Sequence, residues 1–435
     1  MIRAVEETWP REHLARVQLE RIRNQVRRAW DHVPLYRKKM EDAGVKPDDI
    51  VNLDDVRRLP FLNKQDFRDV YPFGLLAVSR DEIVRIHASS GTTGKPTVVG
   101  YTKNDMAMWT ESVTRTVVAA GARPDDVAQI SFGYGMFTGA LGLHYGLENL
   151  GCAVIPASVG NTQRQLMYLQ DYGATVLIAT PSYALYLAEQ AIEEGYKPAE
   201  DFKLRLGLLG GEGLTEGMRR ELIELWGEQF LPTQNYGMSE LNGPGMAGEC
   251  TELTGMHVHE DLFYVEIIDP ITGEVLPEGE EGELVVTLLT KEAMPLVRYR
   301  THDLTTLDSS PCPCGRTTAR ISAMAGRSDD MLLIRGVNVF PNQIAEVIDE
   351  TEGISAVFEI HLDRVKHLDT FEVKVELVDA AFLESYAKLE AMRSELVHKI
   401  RTITGLSAKI SILAPRSLKR FEGKARRVYD LRDKT

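Results

Sequence analysis

No apolar run in the 435 residues approaches the roughly 20 that span a bilayer, which excludes a membrane-crossing helix. Met1-Ile2-Arg3-Ala4-Val5-Glu6-Glu7 lacks the apolar core of a secretory leader, so a cytoplasmic protein is expected. A basic excess is missing too. With 64 acidic against 50 basic side chains the formal charge is −14, which speaks against a nucleic-acid carrier, whose phosphate-tracking surface is normally basic. Cysteine is scarce: four do not make a disulfide framework, and a reducing compartment keeps them as thiols. A hydrophobic share of 43% with 26% charged is ordinary for a globular protein, and the length suggests two or three domains at roughly 100–200 residues each.

What is present first is an alternation. Residues 8–45 read as helical, broken or kinked at Pro34. From Ile83 to about Leu231, apolar runs (Val127–Ile130, Ala153–Pro156, Thr175–Ile178, Leu204–Leu209) alternate with helical patterns near 104–119, 139–149, 162–172, 182–194 and 215–227. This predicts an α/β protein with parallel sheets covered by helices on both faces, whose ligands gather at the carboxyl ends of the strands. Around 262–307 the pattern turns antiparallel, reading as a small subdomain. After Gly326 a strand at Met331–Ile334, a helix near 342–350, strands near 355–361 and 370–378, a helix near 385–404 and a strand at Lys409–Leu413 make an α+β unit of about 110 residues, long enough to stand alone. The expected boundary lies at Arg327–Asp330, dividing an N-terminal domain, 1–326, from a C-terminal domain, 327–435.

Second is the loop Ser89-Ser90-Gly91-Thr92-Thr93-Gly94-Lys95-Pro96, between Ile83–Ile86 and Thr97–Val99. Its glycines allow close backbone approach, its hydroxyls reorient to donate, and its lysine adds a cation, a combination suited to phosphate. It is not a Walker A loop, because Gly91 lies three before Gly94 and Pro96 follows the lysine. Alone it reads as a hairpin joining two strands. With it come Tyr236-Gly237-Met238-Ser239-Glu240, Tyr299-Arg300-Thr301-His302-Asp303, Gly326-Arg327-Ser328-Asp329-Asp330 and Gly423-Lys424. In this order and at these intervals the set resembles the adenylate-forming superfamily of acyl-CoA synthetases, and within it the phenylacetate–CoA ligase family.

The resemblance implies that a carboxylate attacks the α-phosphorus of ATP, giving an acyl-adenylate and pyrophosphate, after which the thiol of coenzyme A replaces AMP. Ser89 through Lys95 would hold phosphates, Glu240 would bind Mg²⁺, Tyr236 with Gly237, Met238 and Ser239 would cover the adenine, Asp303 would accept from the ribose, and Arg327 would add a donor. Lys424 would enter the site from a loop and bridge substrate carboxylate and phosphate. The C-terminal domain would be mobile, turning about Asp329, with Asp330 the alternate hinge. A homodimer is implied as well. Gly210-Gly211-Glu212-Gly213 follows a strand and could bring backbone beside a flat base, with Gly211 and Glu212 toward the nucleotide and Gly210 toward the acid. The wall Phe132–Ala140, with Tyr134 and Phe137 among its glycines, leaves room for a flat apolar guest; the resemblance makes phenylacetate the leading guess.

Cys312-Pro313-Cys314-Gly315 resembles half of a zinc knuckle, and Cys250 with His257 supplies another half, enough for a tetrahedral structural Zn²⁺ site. The family pattern favours His257 over His259. Zinc there would pin two loops near the substrate wall. Cys152 reads as inert. The competing readings are an adenylyltransferase of the same family that passes AMP to a hydroxyl without coenzyme A, and a non-catalytic nucleotide-binding relative; an ordinary P-loop kinase fails on the Walker spacing.

Overall fold

The computed structural model describes residues 1–89, 96–328, 332–334, 337–365, 368–421 and 425–432. Pro34 ends the first helical run: helix Arg11–His32 stops before it and helix Pro34–Asp42 begins on it, where a missing N–H costs nothing. The strands Ala153–Ile155, Val127–Ile130, Val176–Ala179, Leu206–Leu209 and Leu231–Met238 then lie side by side and parallel. Their alternate residues feed two cores. Val176 and Ile178 join the core beneath the N-terminal helices, whereas Leu177 and Ala179 join the one built with helices Pro181–Glu193 and Glu216–Trp226. Both faces are thus covered, as a parallel sheet requires. Two of these strand ends lead into a hydroxyl cap: Thr180 accepts from Tyr183 N at 3.2 Å and Thr215 from Met218 N at 3.2 Å, starting the next helix.

One expectation needs extending. The sheet does not end with the parallel strands but continues antiparallel through Gly243–Glu249, Met256–Val258, Arg320–Ile321 and Leu307–Asp308, making nine strands in all. Strand Leu231–Met238 is the hinge of this change, parallel on one side and antiparallel on the other. Within this sheet antiparallel pairing therefore starts with Gly243–Glu249, well before 262. Gly237 permits the close approach, since a Cβ there would meet the Gly243 carbonyl oxygen at 1.9 Å.

A separate sheet of Phe263–Ile268, Gly282–Leu288, Tyr299–Thr305 and Gly326–Arg327 follows. Its last strand ties the junction down by pairing Arg327 with Asp303. Beyond it, strands Lys409–Leu413, Leu368–Leu377, Ile354–Val365 and Val428–Asp430 form another sheet, packed with helices Pro341–Asp349 and Tyr386–Thr404 on a core of its own that includes Ile344, Ile360, Val373 and Leu396. Ala356 of this body joins the core under Trp226 of the large one, so the two bodies are packed together. Among the described residues no helix is long and apolar enough to cross a membrane.

Candidate active site

The strand Arg85–Ala88 pairs antiparallel with Val98–Tyr101, and Ser89 N donates to Thr97 O at 3.0 Å, extending the pairing by one bond. Ser90, Gly91, Thr92, Thr93, Gly94 and Lys95, expected at the phosphates, lie outside the described residues, as do Asp329, Asp330 and Lys424. The described flanks are informative. Ser89 Oγ, Glu240 Oε1 and Asn242 Oδ1 are all buried and have no hydrogen-bond partner among the described residues. Orphaned buried polar atoms are rare and call for a ligand or ion. Burial raises the Glu240 carboxyl above its ordinary value, with a hydrogen bond from its own backbone N–H, the cation of Lys64, the Thr97 hydroxyl and, more weakly, the cation of Arg327 working against it. A carboxylate only 2% exposed, with one oxygen unused, suits a hard cation.

Next to it the structure brings three expected residues together across the fold. The Tyr236 hydroxyl donates to Asp303 Oδ2 at 2.6 Å, and Arg327 Nη1 reaches Asp303 Oδ1 at 3.0 Å. Burial, then the Asp303 carboxylate, push the Tyr236 phenol well above its usual value, so it stays a donor. His302, the residue before Asp303, has φ 65, a left-handed turn in mid-strand that sets where the aspartate points. Met238 and Ser239 follow at the end of the same strand, and Ser239 Oγ lies 3.3 Å from Thr138 Oγ1, which links this end to the Phe132–Ala140 wall.

Gly210 and Gly211 sit where strand Leu206–Leu209 ends, Gly211 at φ +81 with the Phe132 ring and the Thr180 methyl close over it. Glu212, expected beside the base, has both oxygens engaged: Oε1 accepts from Ser182 N at 2.7 Å and Oε2 from Ala425 N at 3.0 Å. In the wall, Phe137 is half exposed, while the Tyr134 hydroxyl and His144 Nδ1 are 3.0 Å apart. His87 Nδ1 and Ala88 N both approach the Met136 carbonyl, at 3.0 and 2.9 Å, which fastens the wall to strand Arg85–Ala88.

Sequence reasoning missed Glu283. It is fully buried, takes Arg300 Nε at 2.9 Å and Nη2 at 2.6 Å, and lies 3.3 Å from Ser328 Oγ. It thereby fixes the Tyr299–Thr305 strand and the junction residue together. The available signal was a carboxylate at the head of the apolar run Leu284-Val285-Val286, which demands a cation partner when buried.

Cys250, His257, Cys312 and Cys314 come from three points of the chain to place their donor atoms within 4.8 Å of one another. Cys250 Sγ and Cys312 Sγ are 3.8 Å apart, Cys314 Sγ and His257 Nε2 3.4 Å. His257 Nδ1 lies 3.0 Å from Thr318 Oγ1 and 3.2 Å from its carbonyl, leaving Nε2 toward the thiols, whereas His259 Nε2 turns to Thr116 Oγ1 at 2.9 Å. The cluster is not beside the substrate wall, which corrects that expectation. Cys250 and Cys312 pack on Ala119, whereas Trp109, on the same helix, is the residue packed toward Gly142 and the Thr138 side; ten helical residues separate the two by about 15 Å. Cys152 lies elsewhere, its thiol pushed up to about 11 by burial and donating to Arg123 O at 3.1 Å.

A family model described as AMP-binding enzyme matches residues 17–288, and one described as AMP-binding enzyme C-terminal domain matches residues 336–432. The phenylacetate-coenzyme A ligase of Pseudomonas putida is 48% identical over 427 residues, covering 98% of this chain and 96% of that one. That of Thermus thermophilus is 47% identical over 440 residues, 98% of each. Among solved structures, 2-hydroxyisobutyryl-CoA ligase in its postadenylation state with 2-HIB-AMP superposes with a TM-score of 0.90 at 30% identity, covering 98% of this chain and 91% of that one. The same ligase with 2-HIB-AMP and CoA in the thioesterification state gives 0.73 at 30% identity, covering 99% and 92%.

Proposed function

The chain belongs to the phenylacetate–CoA ligase family of AMP-binding enzymes and is an ATP-dependent acid–thiol ligase acting on an aryl acid; from that premise we propose that its acid is phenylacetate and that the residues gathered around Asp303 bind the nucleotide. The observation that carries the assignment of the site is the joining of Tyr236, Asp303 and Arg327, beside the orphaned oxygen of Glu240, at the carboxyl ends of the strands. Asp303, oriented by the tyrosine and the arginine, presents its carboxylate to the ribose hydroxyls. Tyr236, held rigid through its hydroxyl, offers its ring to adenine. Glu240 would hold Mg²⁺, which supplies positive charge at the phosphates when bound. Ser89 and the residues to Lys95 would take the phosphate oxygens, and Lys424 would cancel charge between the two anions that must meet. We divide the chain at 326/327, with Asp329 as the hinge.

Releasing AMP from ATP with phenylacetate, benzoate, indoleacetate and a fatty acid, each with and without coenzyme A, tests this reading. Phenylacetate should give the fastest turnover, and coenzyme A should convert the product to a thioester. Fastest turnover on another acid would reassign the substrate, and indifference to coenzyme A would favour the adenylyltransferase. Within the site, Tyr236→Phe removes a charge-assisted hydrogen bond of about 1.5–3 kcal/mol. It should raise the KM for ATP at least about tenfold in pyrophosphate exchange, and an unchanged KM would take Asp303 away from the ribose.

The same reading extends to Zn²⁺ at Cys250, His257, Cys312 and Cys314. Tetrahedral bonds of about 2.3 Å to sulfur and 2.0–2.1 Å to nitrogen put ligand sulfurs about 3.8 Å apart and a sulfur and nitrogen about 3.5 Å apart. The 3.8 and 3.4 Å separations fit that geometry. When bound, zinc supplies cross-linking rather than chemistry, because all four positions are filled by protein.

A further inference from the structure

The tail that carries Lys424 is fastened at two described points, one on each side of the lysine in sequence. On the N-terminal side, Arg420 reaches Glu189 of helix Pro181–Glu193 through Nη2 at 3.0 Å and Nε at 3.2 Å. The same guanidinium holds Glu376 of its own body through Nη1 at 3.1 Å and Nη2 at 2.9 Å. On the C-terminal side, Ala425 N donates to Glu212 Oε2, whose other oxygen is fixed by Ser182 N. Arg416 adds a pair to Glu193, one helical turn along from Glu189.

The two anchors are built differently from ordinary surface pairs. Glu376 is 1% exposed in side chain, so Arg420 is already oriented by its own body, and the bidentate grip on Glu189 orders little that was free. Arg420 and Glu189 are about one-seventh exposed, 15% and 14%, so solvent screens them less than an open pair. Glu212 caps nothing by chance either. Its Oε1 sits on the first turn of the helix that carries Glu189, so both anchors share one rigid element of the large body.

We propose that Glu189 and Glu212 are positioning residues for adenylation: together they fasten Arg420 and Ala425, which flank Lys424 in sequence, to the helix Pro181–Glu193, and their release frees the C-terminal body for the second half-reaction. Glu376 stays with Arg420 when the bodies part, so the cation is never stranded, and Glu189 returns to water. This rests on the role given to Lys424 above.

The experiment uses the full-length protein and measures ATP–pyrophosphate exchange beside thioester formation from supplied phenylacetyl-adenylate. Glu189→Gln should lower exchange about tenfold while thioester formation stays within about twofold, which also shows that the variant is folded; Glu212→Ala should lower exchange as well. In a Lys424→Ala background Glu189→Gln should not lower single-turnover adenylate formation further by more than about twofold, because there is no lysine left to position. Equal losses in both half-reactions or unchanged exchange in Glu189→Gln, or a full additive loss in the Lys424→Ala background, would overturn the proposal. Normal exchange in Lys424→Ala alone would instead remove the reading on which it rests.

Discussion

Lys424→Ala is expected to lower ATP–pyrophosphate exchange by about 10²–10³-fold, the cost of removing one donor aimed at developing negative charge, or roughly 3–4 kcal/mol of transition-state stabilisation. The reason is electrostatic. A carboxylate must approach a triphosphate, so the barrier contains the repulsion of two anions, and a single ammonium between them acts where water is excluded and its charge is least screened. The second half-reaction has no such need: the thiol arrives with coenzyme A, and no nucleophile from the protein is called for. Thioester formation from supplied phenylacetyl-adenylate should therefore remain within about twofold. Lys424→Arg keeps the charge on a bulkier, planar head and should fall between the two. Rapid-quench measurement of adenylate formation with the acid saturating checks this, and normal exchange in Lys424→Ala would take the lysine out of the mechanism.

The regular elements were legible because their patterns are local. Thr180-Pro181 and Thr215-Glu216 mark helix starts by capping chemistry alone, and the apolar runs at Val127, Val176 and Leu206 are buried strands whose alternate residues serve two cores. Strand Gly243–Glu249 was not legible. Gly-Pro-Gly-Met-Ala-Gly-Glu has no β-branched residue and reads as a loop; it is a strand because Leu231–Met238 and Met256–Val258 pair with it on either side, and its glycines let helix Lys103–Ala119 lie close against it. The site shows the same division. Motif residues such as Tyr236 and Asp303 could be named, but that the tyrosine would spend its hydroxyl on the aspartate depends on strands 67 positions apart. Glu212 is a sharper case, since nothing near it in sequence hints that one of its oxygens belongs to Ala425, 213 residues on.

Zinc should be present at about one equivalent per chain in protein purified without chelator, and stripping it should lower the melting temperature of the large body far more than it lowers turnover. The four donors sit where Gly243–Glu249 ends, on Met256–Val258, and in the connection between Leu307–Asp308 and Arg320–Ile321, so a metal there cross-links the far edge of the nine-stranded sheet. A ligand present at a thousand times its Kd stabilises the folded state by about 4 kcal/mol, which for a body of this size shifts the midpoint by roughly 5 °C. Turnover should hold because the cluster packs on Ala119, away from the Trp109 stretch of that helix, which meets the wall. Cys312→Ser should lose the metal and show the same shift without chelator, whereas Cys152→Ser, whose sulfur bonds the Arg123 carbonyl elsewhere, should keep both metal and midpoint. Elemental analysis beside differential scanning fluorimetry reads both quantities. A metal-free protein with an unshifted midpoint after chelation would leave the cluster as a set of buried thiols held by packing alone.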